Sequence, residues 1–184
     1  MKILLVVTGG IAAYKACELT STAIKQGNAV RVVMSSAATN FVGAATFEAL
    51  TGEPVLLSTF GAEAIDGSAG IDHIEWAKWA DVVCVAPATA NIIGKLACGI
   101  ADCAASTVLM AIPIGVPVVI APAMNTQMWL HPVLQRNLGW LKDLGRYSFV
   151  DPVEKRLACG DFGVGGLAEP DDILRAVSVA GGDS

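Results

Sequence analysis

Residues 2–15 read KILLVVTGGIAAYK, an apolar run, a turn with two glycines and the start of a helical pattern. The apolar run is continuous rather than alternating, which is typical of a strand that is buried on both faces. A helix is predicted from about Ala12 to Gln26. A buried strand that turns directly into a helix is the repeating unit of a parallel sheet, so this stretch sets the expectation for the rest of the chain.

The same order of strand and helix recurs along the sequence. It predicts an α/β fold, a Rossmann-like (flavodoxin-like) doubly wound parallel sheet, in a single domain spanning residues 1–184. Residues 61–70 and the glycine-rich residues 157–170 are predicted as irregular segments. Further strands are expected at 29–35, 54–58, 81–88, 116–123 and 147–150. Helical segments are expected at 37–40, 44–50, 73–79, 89–98, 102–110, 132–144 and from 171 onward.

Composition excludes several classes of function. The 184 residues carry a net charge of -5 and no basic block, so nucleic acid is not an expected partner. The five cysteines form no C-x-x-C pair, which indicates a reducing, cytoplasmic location and no zinc site. No signal peptide is apparent, and prolines interrupt the uncharged residues 103–128, so no membrane span is expected. The hydrophobic content of 54% is high, as expected for buried strands or an oligomer interface.

Small polar residues follow several predicted strands, where ligands gather in this class of fold. Thr8 precedes a Gly-Gly turn at a helix start, which suits a phosphate, although a tight turn without a ligand explains it equally well. Ser35 and Ser36 follow the second strand, and Thr89 and Asn91 another, and each could instead cap a helix. Together they favour one ligand with a phosphate and a polar ring. The turn is not G-x-G-x-x-G and no acidic residue ends the second strand, which disfavours a nicotinamide dinucleotide.

Three other features are unusual. APAMNTQMW, residues 121–129, leaves a predicted strand with Asn125 between Met124 and Met128. His73 has acidic neighbours that could tune its charge, although a lone histidine is more often structural. Cys159 lies in a glycine-rich segment that would suit a mobile flap at about 153–168, or a plain surface loop.

With these motifs in view, the sequence resembles the homo-oligomeric flavin-containing cysteine decarboxylases, and is closest to the phosphopantothenoylcysteine decarboxylases. PAMNTQMW resembles the family's substrate motif, APATANI its flavin motif, DHIEWAKWAD the segment with the active-site histidine, and LACGD the flap with its cysteine. The resemblance implies that His73, Cys159 and Asn125 are catalytic, and that Asn125, Met124 and Met128 bind substrate. It implies FMN as the cofactor, bound by Gly9, Gly10, Ile11, Ser35, Ser36, Phe41, Pro87, Thr89, Asn91 and Ser106.

The activity implied by the resemblance is FMN-dependent oxidative decarboxylation of a cysteine carboxylate. The expected substrate is 4'-phospho-N-pantothenoylcysteine, giving 4'-phosphopantetheine in coenzyme A biosynthesis. The alternative is a peptidyl-cysteine decarboxylase that acts on a C-terminal Cys, but those enzymes characteristically lack the A-C-G-D flap. A regulatory relative that binds a phosphatase and a flavin prenyltransferase are disfavoured by the retained motifs. Family members form trimers or larger assemblies of trimers, and Cys103 replaces an Asn that is common in them.

Overall fold

The computed structural model describes residues 1–59, 72–156, 160 and 162–182. Six parallel strands form one sheet in the order β3-β2-β1-β4-β5-β6. This is the doubly wound parallel sheet that the sequence predicts. The strands are β1 (Lys2–Val7), β2 (Ala29–Met34), β3 (Val55–Leu56), β4 (Val82–Ala88), β5 (Val118–Pro122) and β6 (Tyr147–Phe149).

Helices cover both faces of the sheet, because the continuous apolar runs leave neither face suited to water. One face packs mainly against the first, second and last helices, and the other against helices of the middle of the chain. The helices are α1 (Ala13–Lys25), α2 (Ala44–Thr51), α3 (Asp72–Trp79), α4 (Ala90–Cys98), α5 (Ala104–Ala111), α6 (Thr126–Trp129), α7 (Pro132–Asp143) and α8 (Pro170–Gly181). A 3₁₀ turn, Ala38–Asn40, follows β2.

The glycine-rich end of the chain differs from its prediction. Residues 162–166 form a strand, β8 (Phe162–Gly166), which pairs antiparallel with β7 (Val153–Arg156). The expectation of an irregular segment there is therefore wrong for the described residues. The predicted loop at 61–70 and the residue Cys159 lie outside the described residues.

The hairpin β7–β8 is joined to the main sheet by backbone contact. The Met124 N–H, just beyond β5, donates to the Gly165 carbonyl oxygen over 2.8 Å. Gly165 has φ +145°, and a Cβ there would collide with the Met124 carbonyl oxygen. A glycine is therefore required where the hairpin meets the exit of β5.

None of the helices in the described ranges combines the length and the apolar character needed to cross a bilayer.

Candidate functional site

A cavity of about 610 Å³ lies beyond the carboxyl ends of β1, β2, β4 and β5. Its size falls within the range of small-molecule and cofactor sites. It brings together most of the residues that the sequence singles out at the strand exits. They are Gly9, Gly10, Ile11, Ser35, Ser36, Thr89, Asn91, Met124, Asn125 and Met128.

Thr8 links the carboxyl ends of the central strands β1 and β4 by hydrogen bonds. Its hydroxyl donates to the Pro87 carbonyl oxygen over 2.6 Å, and the Thr89 N–H donates to the Thr8 hydroxyl oxygen over 3.1 Å. Thr8 is buried, so these bonds are shielded from competing water. The hydroxyl thereby fixes the exits of β1 and β4 at the floor of the cavity.

The turn after β1 offers backbone donors to an anion. The N–H groups of Gly10, Ile11 and Ala12 find no acceptor within the described part of the chain, and α1 begins directly after them. Ala12, the N-cap, provides no side-chain cap for these groups. Uncapped N–H groups at the positive end of a helix dipole suit a phosphate.

Gly9 permits this turn to pass close to the exit of β2. A Cβ on Gly9 would collide with the Cβ and backbone carbon of Ala37. The close approach brings Ser35 and Ser36 to the same cavity as the turn. Their hydroxyls add hydrogen-bonding groups beside the backbone donors.

Asn125 is the N-cap of the short helix α6. Its Oδ1 atom accepts a hydrogen bond from the Gln127 N–H over 2.8 Å. The cap fixes one end of the amide while the residue remains part of the cavity wall, between Met124 and Met128. An amide positioned in this way among thioethers presents a neutral polar group in weakly polar surroundings.

Four cationic side chains line the cavity. They are Lys15, Lys95, Lys155 and Arg156. One of them, Lys15, lies in the TGGIAAYK segment, and the sequence analysis did not single out the other three as site residues. The Lys95 Nζ pairs with Asp102 Oδ1, and this hydrogen bond raises the pKa of Lys95 and lowers that of Asp102. Lys155 and Arg156 were missed because the run V-E-K-R is typical of a solvent-exposed strand.

Lys15 and Lys155 lie on either side of one carboxylate. The Lys15 Nζ is 3.1 Å from Glu169 Oε2, and the Lys155 Nζ is 4.0 Å from Glu169 Oε1. Burial is the largest single influence on the pKa of Lys15 and lowers it, but the hydrogen bonds to Glu169 and Lys155 and the charge of Glu169 together raise that pKa overall. Burial and the neighbouring Lys15 lower the pKa of Lys155.

Three residues expected at the cofactor site are not part of the cavity wall. The Pro87 side chain is buried in β4, and its carbonyl oxygen instead holds Thr8. Ser106 is buried, and its Oγ atom accepts hydrogen bonds from the N–H groups of Asp102 and Cys103 over 3.1 Å each. Phe41 is 47% exposed just after the 3₁₀ turn. Cys103 does line the cavity, and its Sγ lies 3.2 Å from the Ser106 Oγ.

His73 lies on α3 and is not among the residues that line this cavity. Its Nδ1 atom is buried and forms no hydrogen bond within the described residues. The guanidinium of Arg31 lies 4.7 Å from the ring centre of Trp79 and 5.5 Å from that of Trp76. These cation–π contacts anchor α3 to β2, so both tryptophans serve packing.

The sequence profile of the Flavoprotein family matches residues 1–180 of the chain. The chain belongs to the flavoprotein family. This flavoprotein is 48% identical over 173 residues to the "Coenzyme A biosynthesis bifunctional protein CoaBC" of Bacillus subtilis, covering 94% of the chain and 41% of that relative. It is 42% identical over 176 residues to the "Probable phosphopantothenoylcysteine decarboxylase" of Streptococcus mutans, covering 96% of both. The chain thus spans about two fifths of the bifunctional relative.

Solved structures of other flavoproteins share the fold. A cysteine-to-serine mutant of PPC decarboxylase, complexed with pantothenoylaminoethenethiol, superposes with a TM-score of 0.85 at 31% identity, over 97% of this chain and 96% of that one. The FMN-binding protein AtHal3 superposes with a TM-score of 0.81 at 32% identity, over 97% and 95%. The parallel sheet and its helices are therefore the fold of this family.

The cavity fits a flavin mononucleotide by its chemistry. The turn after β1 offers a phosphate N–H donors that have no acceptor among the described residues, and the serines and Thr89 offer hydroxyls to a polyol or a ring edge. The apolar lining, including Ile11 and Met124, suits an aromatic ring system. The other flavin-binding residues predicted from the sequence line this cavity and are compatible with this arrangement, whereas the roles of Phe41, Pro87 and Ser106, which do not line it, stay predictions.

Proposed function

We propose that this flavoprotein catalyses FMN-dependent decarboxylation of 4'-phospho-N-pantothenoylcysteine to 4'-phosphopantetheine, a step of coenzyme A biosynthesis. One observation carries the proposal. A single cavity joins the turn at Gly9 and Gly10 to the Met124–Asn125–Met128 wall, with cations beside it. The similarity to the phosphopantothenoylcysteine decarboxylase of Streptococcus mutans supports the same reaction.

Loss of CO2 from a cysteine carboxylate leaves electrons with no acceptor next to the carbon that bore the carboxylate. FMN, when bound, supplies the oxidation of the CH2–SH group that creates such an acceptor, and later returns the two electrons. The protein's own groups bind and orient the substrate. Gly10 and its neighbours would hold the phosphate of FMN, and Ser35, Ser36, Thr89 and Asn91 would hold its other polar groups.

Asn125 holds the substrate carboxylate through its amide. A neutral amide orients the carboxylate without stabilising its charge as strongly as an arginine would, and so does not oppose the loss of that charge. Met124 and Met128 exclude water from the same place, which removes part of the solvation of the carboxylate. All three residues lie on one wall of the cavity.

His73 acts as the base at the substrate thiol, and Cys159 donates the proton that completes the saturated product. His73 is not part of the cavity wall of its own chain, so in this proposal another copy of the chain supplies it. Exposed apolar residues near the cavity mouth, Ile11, Tyr14 and Met128, favour such contact between copies. We therefore propose a homo-oligomer, with a trimer as its unit.

The cytoplasmic location and the single-domain extent stay predictions.

The peptidyl-cysteine alternative differs in its product. Such an enzyme would release CO2 and two hydrogens, leaving an unreduced enethiol, and would not need Cys159. The cationic lining favours the phosphorylated small substrate over a peptide.

Mass spectrometry of the flavin-loaded protein with phosphopantothenoylcysteine and, separately, with a peptide ending in Cys tests the proposal. Loss of CO2 alone from the small substrate is expected. The product of the Cys159→Ser variant, whether released or still bound, should be lighter than 4'-phosphopantetheine by two hydrogens, because the enethiol then lacks its proton donor. Cys98→Ser, at an exposed position outside the cavity wall, is the matched control. Reaction with the peptide alone would contradict the proposed substrate.

A further inference from the structure

The cavity wall is positively charged although the protein is acidic. The chain carries a net charge of -5, yet the described lining contains Lys15, Lys95, Lys155 and Arg156 and neither Asp nor Glu. Charges of one sign lining a cleft raise the local concentration of ligands of the opposite sign. Asp102 and Glu169 pair with three of these cations from outside the wall, so the four cations exceed their described carboxylate partners by two charges.

Lys155 is held in place by its own hairpin. Its Nζ donates to the Leu167 carbonyl oxygen over 3.0 Å. Its methylene stem lies across Gly166, where a Cβ would collide with the Lys155 Cε. The lysine thus crosses from β7 over β8 and ends beside Lys15.

Glu169 neutralises this pair incompletely. One carboxylate serves two ammonium groups, at 3.1 Å from the Lys15 Nζ and 4.0 Å from the Lys155 Nζ. The Glu169 side chain is 59% exposed, whereas those of Lys15 and Lys155 are only 15% and 34% exposed. Glu169 is the N-cap of α8 but makes no side-chain cap hydrogen bond, so no described backbone group depends on its carboxylate.

An ion pair with one largely exposed partner is weak and exchanges readily. A phosphate monoester carries nearly two negative charges and three acceptor oxygens, so it satisfies two ammonium groups better than one carboxylate does. We propose that Lys15 and Lys155 together bind the phosphate of the substrate, and that the Glu169 carboxylate holds this pair of lysines until the phosphate displaces it. This inference rests on the proposed function, since it assigns the phosphate to the pantothenoyl substrate.

The exchange favours a dianion over a monoanion at the lysine pair. A dianion that displaces Glu169 gains charge neutralisation, whereas a monoanionic carboxylate only replaces one carboxylate by another. Glu169 therefore acts as a built-in competitor, which ligands without a phosphate fail to displace.

Calorimetric titration of the flavin-loaded protein with 4'-phosphopantetheine and with pantetheine, which lacks the phosphate, tests the inference. Glu169→Gln removes the competing charge, so its Kd for phosphopantetheine should fall about twofold to fivefold, with pantetheine unchanged. Lys155→Gln should raise the Kd for phosphopantetheine about tenfold or more, again with pantetheine unchanged. Glu18→Gln, an exposed site on α1 outside the cavity wall, is the control for loss of one negative charge.

An unchanged or raised Kd for phosphopantetheine in Glu169→Gln, with a melting temperature like that of the parent, would overturn the inference. So would a loss of bound flavin in Lys155→Gln at an unchanged preference for phosphopantetheine, since the lysine would then serve the cofactor. Decarboxylation is assayed separately. A protein that decarboxylates phosphopantothenoylcysteine without these shifts keeps the proposed function and refutes the role of Glu169. A protein that lacks the activity but shows the shifts refutes the proposed function only.

Discussion

Asn125 shows how a residue can be singled out by sequence without its local role being visible. The sequence marks it as a lone amide between methionines, and the structure makes it the N-cap of α6. The four-residue helix was not predicted, because it is too short for its periodicity to be read. Its cap holds the amide at the cavity wall, where the resemblance expects it.

Substitution Asn125→Asp provides a clean test of the carboxylate-binding role. Aspartate caps a helix as well as asparagine does, so α6 should persist. A second negative charge would, however, repel the substrate carboxylate, and we expect kcat/KM to fall about a hundredfold or more. Steady-state CO2 release measures this effect. Asn125→Ser keeps the cap but removes the amide, so its kcat/KM should also fall below that of the parent protein. Turnover at the parental rate in both variants would exclude the role.

Elements with a continuous apolar pattern were predictable, and elements that depend on distant contacts were not. The runs of β1, β4 and β5 are buried on both faces, so composition alone marks them as central strands. Strand β8 contains three glycines and has little strand propensity of its own. It forms because it pairs with β7 and contacts the exit of β5, neither of which local sequence reveals.

Gly165→Ala tests the joint between the hairpin and β5. The position has φ +145°, which side-chain-bearing residues rarely adopt, and a Cβ would collide with the Met124 carbonyl oxygen. We expect the free energy of unfolding to fall by about 1–3 kcal/mol, measured by urea denaturation. Gly115→Ala has open space around it and a permitted φ, so it should stay within about 0.5 kcal/mol. Equal stability of the two variants would contradict the strain argument.

At the scale of the whole molecule, one cavity joins the Gly9–Gly10 turn to the wall formed by Met124, Asn125 and Met128, but His73 does not line it. The sequence could not reveal this separation, because His73 lies in a motif as distinctive as the others. The distance between motifs along a chain does not say which copy of an oligomer completes a site. The high apolar content and the exposed Ile11, Tyr14 and Phe41 are consistent with contact between copies.

Mixing two inactive variants tests whether the site is shared. His73→Asn and Asn125→Asp should each be nearly inactive alone. If His73 serves the cavity of another copy, random mixing of the two variants should restore both residues at about a quarter of the sites. The proteins are unfolded together, refolded with FMN and assayed for CO2 release. His73→Asn refolded alone gives the baseline. Activity of the mixture at that baseline would mean that each cavity uses its own His73.

The bond between Met124 and Gly165 also bears on how such an enzyme could be redesigned. It ties residues 123–129 to residues 162–167, two segments that lie far apart in the sequence but meet as one piece of wall. Thr126 packs closely against Gly163 at the same joint. A chimaera that takes only one of these two segments from a relative would place mismatched residues in contact where the segments meet. The two segments should therefore be exchanged together.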